Sequence, residues 1–367
     1  MALACGFIAL SVSGAALLVS LHRHNWETSA LVRMQPDEPM AQIARRIDPG
    51  FEFVPHGHYD GVYAYAIALD PLAQEDAHTK VDFPSYRYGR VGLGWLAWLL
   101  SLGRPRSVPT ALMIISLLAM PVAGIFASLV SSSWGWSPWG GLVASLNPGF
   151  VIGVTADTSE PLQAALLGIG LYLWFRRRLV PSVLVLAYLC LVKEQFIAVP
   201  AGLLLWELIE WRRGRKAPDL WKRLGMLAAT PLPLVAWWAY VSDVFGRWQP
   251  DQPQFLAAPF AGWIDTLRKA NQLIEGTTYQ SQVGYVTVAL LITVGTILVI
   301  GSLLALRMRT PFHPIFLFMV LVLSVLSYWQ LLFPKEVLRL MAVQLALLPA
   351  VFAGARRVVT GRDLEAG

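Results

Sequence analysis

Apolar runs long enough to cross a lipid bilayer recur from one end of this chain to the other. They lie near 2–21, 108–131, 138–155, 160–175, 179–193, 195–211, 224–245, 284–306, 314–332 and 339–354. A helix needs roughly 17–25 such residues to cross ~30 Å of hydrocarbon. In that medium only helices and closed barrels satisfy their own backbone groups. The runs therefore predict an all-α, polytopic transmembrane bundle of about ten spans. Composition agrees: 14% of the 367 residues are charged and the mean hydropathy is +0.54, whereas soluble domains carry about 25% charged residues.

One transmembrane domain is expected over 1–367, with long polar connections at 22–90 and 246–283. The 2–21 run lacks an opening Lys/Arg region and a small-x-small cleavage site, so it reads as an uncleaved first span. Cys5 and Cys190 fall inside apolar runs and read as packing residues. The net charge of +6 sits mostly at helix ends and predicts no nucleic-acid partner.

Short loops rich in Lys and Arg prefer the cytoplasm. "RRR" at 176–178, "RRGRK" at 212–216, "RMR" at 307–309 and "RR" at 356–357 alternate consistently from residue 160 onward. The apolar piece at 91–103 decides the rest. At about 13 residues it suits an interfacial or re-entrant helix. That arrangement places both termini inside and the 22–88 loop outside. Most acids then gather on the outer face.

Three short helices are expected in the connections. "DEPMAQIARRID" at 37–48 carries acids in its first turn and arginines in its last, which suits the helix dipole. Met40, Ile43 and Ala44 give it an apolar stripe suited to the membrane surface. "DGVYAYAIALD" at 60–70 reads as a second helix and "FAGWIDTLRKANQLI" at 260–274 as a third, amphipathic one.

Chemistry-bearing residues concentrate near these turns. Asp60 can cap the helix that follows it or act as a general base on a hydroxyl, and the two roles can coexist. His56 and His58 invite a metal reading with Asp60, but a His-x-His pair alone is a weak signal, and a further ligand would have to come from elsewhere, such as Asp157 or Glu160. A divalent cation is thus a candidate cofactor without a defined ligand set. "VDFPSYRYGR" at 81–90 supplies Asp82, Tyr86, Arg87, Tyr88 and Arg90. These suit either an interfacial aromatic and cationic belt or a phosphate clamp. In "TADTSEP" at 155–161, Asp157 or Ser159 can cap the next helix, or Asp157 and Glu160 can form a second acidic site with Glu194. Lys193 and Arg339 are further cations at span ends, where a charge carries a functional hypothesis.

Together these residues resemble the GT-C superfamily of membrane glycosyltransferases, in particular a bacterial set that forms cell-surface glycopolymers. Its "YDG…YY…DP" stretch and "D-x-P-x-YR-x-x-R" stretch correspond here to Tyr59-Asp60-Gly61, Tyr63, Asp70-Pro71, Asp82, Pro84, Tyr86-Arg87 and Arg90. "SEP" at 159–161 and "KE" at 193–194 fit the same set. Two departures are Tyr63-Ala64-Tyr65 in place of an aromatic pair, and the lack of a large soluble C-terminal portion.

The resemblance implies a polyprenyl-phosphate-linked sugar donor, a glycan or lipid acceptor, and an active face outside the bacterial inner membrane, in contact with membrane lipids. It implies Asp60 or Asp82 as the base, and Arg87, Arg90, Lys193 and Arg339 on the donor phosphate. His58, Tyr59, Tyr63 and Tyr86 would line the substrate. A transporter or flippase for a lipid-linked sugar or small solute is the competing class, although no internal repeat is visible. An assembly protein without chemistry would not need so concentrated an Asp/Tyr/Arg set.

Overall fold

The computed structural model describes residues 1–55, 58–215, 218–248 and 256–356. It is all-helical: 74% of the chain is helix, with no strand among the described residues. Helix α1 (Ala2–His22) leads into the 22–88 segment, which folds into α2 (Pro39–Ile47), α3 (Gly61–Leu69) and α4 (Pro84–Arg87). Then come α5 (Gly92–Leu100), α6 (Val108–Ser133), α7 (Gly140–Ser145) and α8 (Pro148–Val154). The centre of the chain supplies α9 (Glu160–Phe175), α10 (Leu179–Val192), α11 (Ala198–Arg212), α12 (Leu220–Ala229) and α13 (Leu232–Phe245). The last part holds α14 (Ala261–Ile274), α15 (Thr278–Ala305), α16 (Phe312–Ser324), α17 (Tyr328–Leu331), α18 (Pro334–Leu340) and α19 (Ala342–Arg356).

Four helices are long and apolar enough to cross a membrane: Ala2–His22, Pro105–Ser133, Leu220–Phe245 and Thr278–Ala305. A fifth results if α18 and α19, bent by 50° at their junction, count as one broken span. The chain is thus an all-helical protein with four to five helices suited to a bilayer.

Elsewhere the expected spans are shorter or broken. Helices α9, α10, α11 and α16 run only 16, 14, 15 and 13 residues. The 138–155 run divides into α7 and α8, because the Asn147 side chain accepts from the Gly149 N–H and Pro148 opens the new helix. Pro231 marks the break between α12 and α13, whereas α6 continues through Pro121. The 91–103 piece forms the nine-residue α5, too short to cross.

The short helices of the 22–88 segment are built into the protein. Met40, Ala41, Ile43 and Ala44 of α2 are buried in a cluster with Phe51, Val62 and Tyr65. The apolar stripe expected to rest on the membrane surface therefore packs inward. Arg45 and Arg46 do end the helix, as expected from the dipole. All eight residues from Gly61 to Ala68 of α3 are buried, and α3 packs against α5 and α6. Cys5 and Cys190 are free and buried.

Two close approaches fix this arrangement around the polar turns. A Cβ on Gly61 would lie 2.8 Å from the Val32 carbonyl oxygen and 2.9 Å from that of Ala156. The start of α3 therefore rests directly on the 155–160 turn. A Cβ on Gly149 would meet the Leu338 carbonyl oxygen at 2.4 Å, so α8 and α18 touch backbone to backbone. Leu338 precedes Arg339, and this contact sets the position of that arginine.

Candidate functional site

The antiparallel course of α9, α10 and α11 brings the starts and ends of several helices to one end of the bundle. Tyr59 and Asp60, Arg87 and Arg90, Thr158 to Glu160, Lys193 to Gln195 and Arg339 meet there. Asp60 is the backbone N-cap of α3, but its side chain makes no capping bond. It turns to the cations instead. Arg339 Nη1 donates to Asp60 Oδ2 at 2.6 Å, and Arg87 Nη1 lies 3.6 Å from Asp60 Oδ1. Burial alone would raise the Asp60 carboxyl, but Arg339 and Arg87 outweigh it and hold the group well below the usual carboxylate range. Its side chain keeps 39% exposure, so the ionised oxygen remains reachable.

Each cation faces at least one carboxylate, and Arg339 and Arg87 are shared between several. Arg339 also donates to Glu336 Oε2 at 2.7 Å and lies 3.7 Å from Glu160 Oε1. Lys193 Nζ is 3.6 Å from the same Glu160 oxygen, and the Thr158 hydroxyl donates to the other. Arg90 grips Glu194 through two nitrogens, with Nε to Oε2 at 2.7 Å, and donates to the Tyr86 hydroxyl. Arg87 binds Asp82 at 3.1 and 3.3 Å and donates to the Tyr63 hydroxyl at 2.9 Å, while its guanidinium lies 3.6 Å from the Tyr63 ring centroid. All four expected phosphate-binding cations therefore gather here, each balanced by an acid.

Two cavities meet among them. The smaller, about 60 Å³, is lined by Asp60, Tyr63, Arg87, Ser159 and the two residues Arg90 and Lys193. The larger, about 390 Å³, shares Arg90 and Lys193 at its polar end, beside Tyr86, Glu194, Gln195 and Gln330. Its other walls are apolar, from Ile197 just before α11 and Ala201 on it, Trp238 on α13, and Phe318, Leu321 and Val325 on and beside α16.

The remaining expected residues fall around this centre. Asp82 is 47% exposed, faces Arg87 and lines neither cavity. His58 shares hydrogen bonds with Tyr63 at 2.8 Å and Glu38 at 2.8 Å and lines neither cavity. Tyr59 presents its ring to Lys335 at 4.1 Å and to Arg339 at 4.8 Å. The three acids Asp157, Glu160 and Glu194 do not form one acidic site. Glu160 and Glu194 belong to the cation network, whereas Asp157 is fully buried and neither oxygen has a hydrogen-bond partner among the described residues. Burial raises the Asp157 carboxyl well above the ordinary range, against the opposing charge of Arg33. Neither Asp157 nor Ser159 caps α9 with its side chain; the Ser159 hydroxyl accepts from Gln163.

His56 lies outside the described residues, as do Lys216 and Arg357 of the basic loops. Among the described residues no group of three or more His, Cys, Asp and Glu is arranged to hold a metal ion. Sequence reasoning missed Gln195, Gln330 and Lys335, and it placed Glu336 among the outer acids without pairing it to Arg339. That pairing was findable, because an i, i+3 acid–base pair on a helix is a local pattern; the amides carry no such signal.

A comparison with the models of known protein families finds none that matches the chain. A comparison with curated proteins finds no significant match either.

Proposed function

We propose that this chain is a GT-C-like membrane glycosyltransferase that moves a sugar from a polyprenyl phosphate to an extracytoplasmic acceptor, with inversion. The observation that carries this reading is that two unlike cavities share Arg90 and Lys193 in their walls. One holds a reachable carboxylate among cations; the other is an amphiphilic cleft with a charged end and an apolar body. A lipid phosphate has that polarity. Its tail would lie along Trp238, Phe318 and Leu321, and its phosphate would compete with Glu194 for Arg90 and with Glu160 for Lys193.

The acceptor hydroxyl oxygen then attacks the anomeric carbon from the Asp60 side. The bond from that carbon to the phosphate oxygen breaks, polyprenyl phosphate departs, and the hydroxyl proton passes to Asp60. A carboxylate kept ionised by Arg339 and Arg87 is a weak base. It suffices where the hydroxyl becomes strongly acidic as an oxocarbenium-like centre forms. Arg87, Arg90, Lys193 and Arg339 offset the charge that develops on the leaving phosphate. Asp60 is favoured over Asp82 because it lines the cavity, while Asp82 is committed to Arg87 outside it.

In this reading the short helices α9, α10, α11 and α16, with the α7–α8 pair as one further crossing, complete a bundle of about ten crossings over one domain. The 22–90 and 246–283 connections lie on the outer face of a bacterial inner membrane. Asp60→Asn is expected to lower release of polyprenyl phosphate from polyprenyl-phosphate sugars by at least about 100-fold. The purified variant should keep its elution profile and helix content. Near-normal release by a folded Asp60→Asn protein would refute the assignment.

A further inference from the structure

The charged end of the larger cleft contains two neutral amides that the transfer chemistry leaves without a task. Gln195 follows Glu194 directly, is buried, and lines the cleft beside Lys193. Gln330, on α17, lines it from the opposite side of the sequence; its Nε2 lies 3.4 Å from the Tyr86 hydroxyl. Its Oε1 is buried with no hydrogen-bond partner among the described residues. A buried amide oxygen left unpaired is unfavourable, and a ligand that supplies a donor relieves it.

A phosphate supplies no such donor, and the prenyl tail supplies none at all. A sugar does. Each ring hydroxyl both donates and accepts, as a carboxamide does, so an amide can engage two neighbouring hydroxyls at once. The cations at this end neutralise the phosphate, and the amides line the same cleft as those cations. The carboxylate of Glu194 lines the same space and repels a second anion.

We infer that Gln195 and Gln330 read the hydroxyls of the donor's sugar, and that the sugar is uncharged. This inference rests on the donor-lipid reading above and assigns the amide-lined part of the polar end, next to the phosphate's cations, to the glycosyl group. The test uses the full chain in lipid nanodiscs with three probes: undecaprenyl phosphate, the same lipid carrying glucose, and the same lipid carrying glucuronate.

Gln330→Met and Gln195→Leu should each weaken the glucosyl lipid by roughly five- to tenfold, the loss of one or two neutral hydrogen bonds. Binding of bare undecaprenyl phosphate should stay within about twofold. The unmodified protein should bind the glucuronate lipid at least about tenfold more weakly than the glucosyl one. Equal losses for the glucosyl and bare lipids, or no loss for either, would overturn the amide assignment. Equal binding of glucosyl and glucuronate lipids would overturn the claim that the sugar is uncharged. Failure of the unmodified protein to bind any of the three lipids would instead overturn the donor reading itself.

Discussion

Asp60 and Asp157 sit on touching turns and experience opposite electrostatics. Asp60 faces two guanidiniums and stays ionised. Asp157 adopts a left-handed backbone, φ 46°, and is fully buried with no hydrogen bond to either oxygen among the described residues. A carboxylic acid in such a place favours its neutral form, so the folded state holds the proton more tightly than the unfolded chain does. That stabilisation is fully present below the unfolded value near pH 4 and is lost as pH rises towards the folded value. Over that interval the protein should lose up to about 1.4 kcal/mol per pH unit. Asp157→Asn removes this loss. Thermal unfolding in detergent from pH 4 to 8 should show the variant increasingly more stable than the parent as pH rises, and parallel profiles would exclude a buried acid at this position.

The helices that place the charged residues do so through contacts with no slack. Gly149 lets α8 lie against the Leu338 carbonyl of α18, one residue before Arg339. Gly149→Ala must push two backbones apart and carry the guanidinium away from Asp60. Overpacking of this kind costs about 1–3 kcal/mol. A shift near 1 Å in a catalytic group costs on the order of 100-fold in rate. Gly61→Ala should behave in the same way, because its obstacles are the Val32 and Ala156 carbonyls. Gly225→Ala on α12, with nothing within 4 Å, is the control and should leave the melting temperature unchanged or higher. A Gly149→Ala protein with normal melting and normal transfer would show that α18 is not held in this way. The same helices explain where the sequence misled. Local signals located α2, α3 and α14 well, but they could not show that α2 packs inward, because a single apolar stripe serves a protein neighbour and a lipid surface equally.

Across the bundle the two ends differ in charge. Arg176 to Arg178 and Arg212 to Arg215 are exposed at the end remote from Asp60, where α9 and α11 finish. In the proposed arrangement the positive-inside rule puts that end in the cytoplasm and the cavities outside, which cysteine labelling tests. Asp76→Cys, at a side chain 75% exposed, should react in intact cells with a maleimide that cannot cross membranes. Arg213→Cys, at one 42% exposed, should react only after permeabilisation. Reversed labelling would place the Asp60 cavity in the cytosol and end the proposed use of a lipid-delivered donor. Cys5 and Cys190 are buried and should contribute little background.

The sequence by itself determined that the chain would be helical and suited to a bilayer, and it marked Asp60, Arg87, Arg90 and Lys193 as charges beside apolar helices. These properties follow from composition and local spacing, since a helix forms over neighbours in the chain and a stranded charge is visible wherever it stands. Only the tertiary structure decided the partners. Asp60 meets Arg339 across 279 residues and Arg90 meets Glu194 across 104. It also turned the expected capping roles of Asp60 and Asp157 into an ion-paired carboxylate and a buried acid. Coulombic attraction and desolvation depend on distance and burial, which no local pattern contains, and the packing of distant helices supplies both.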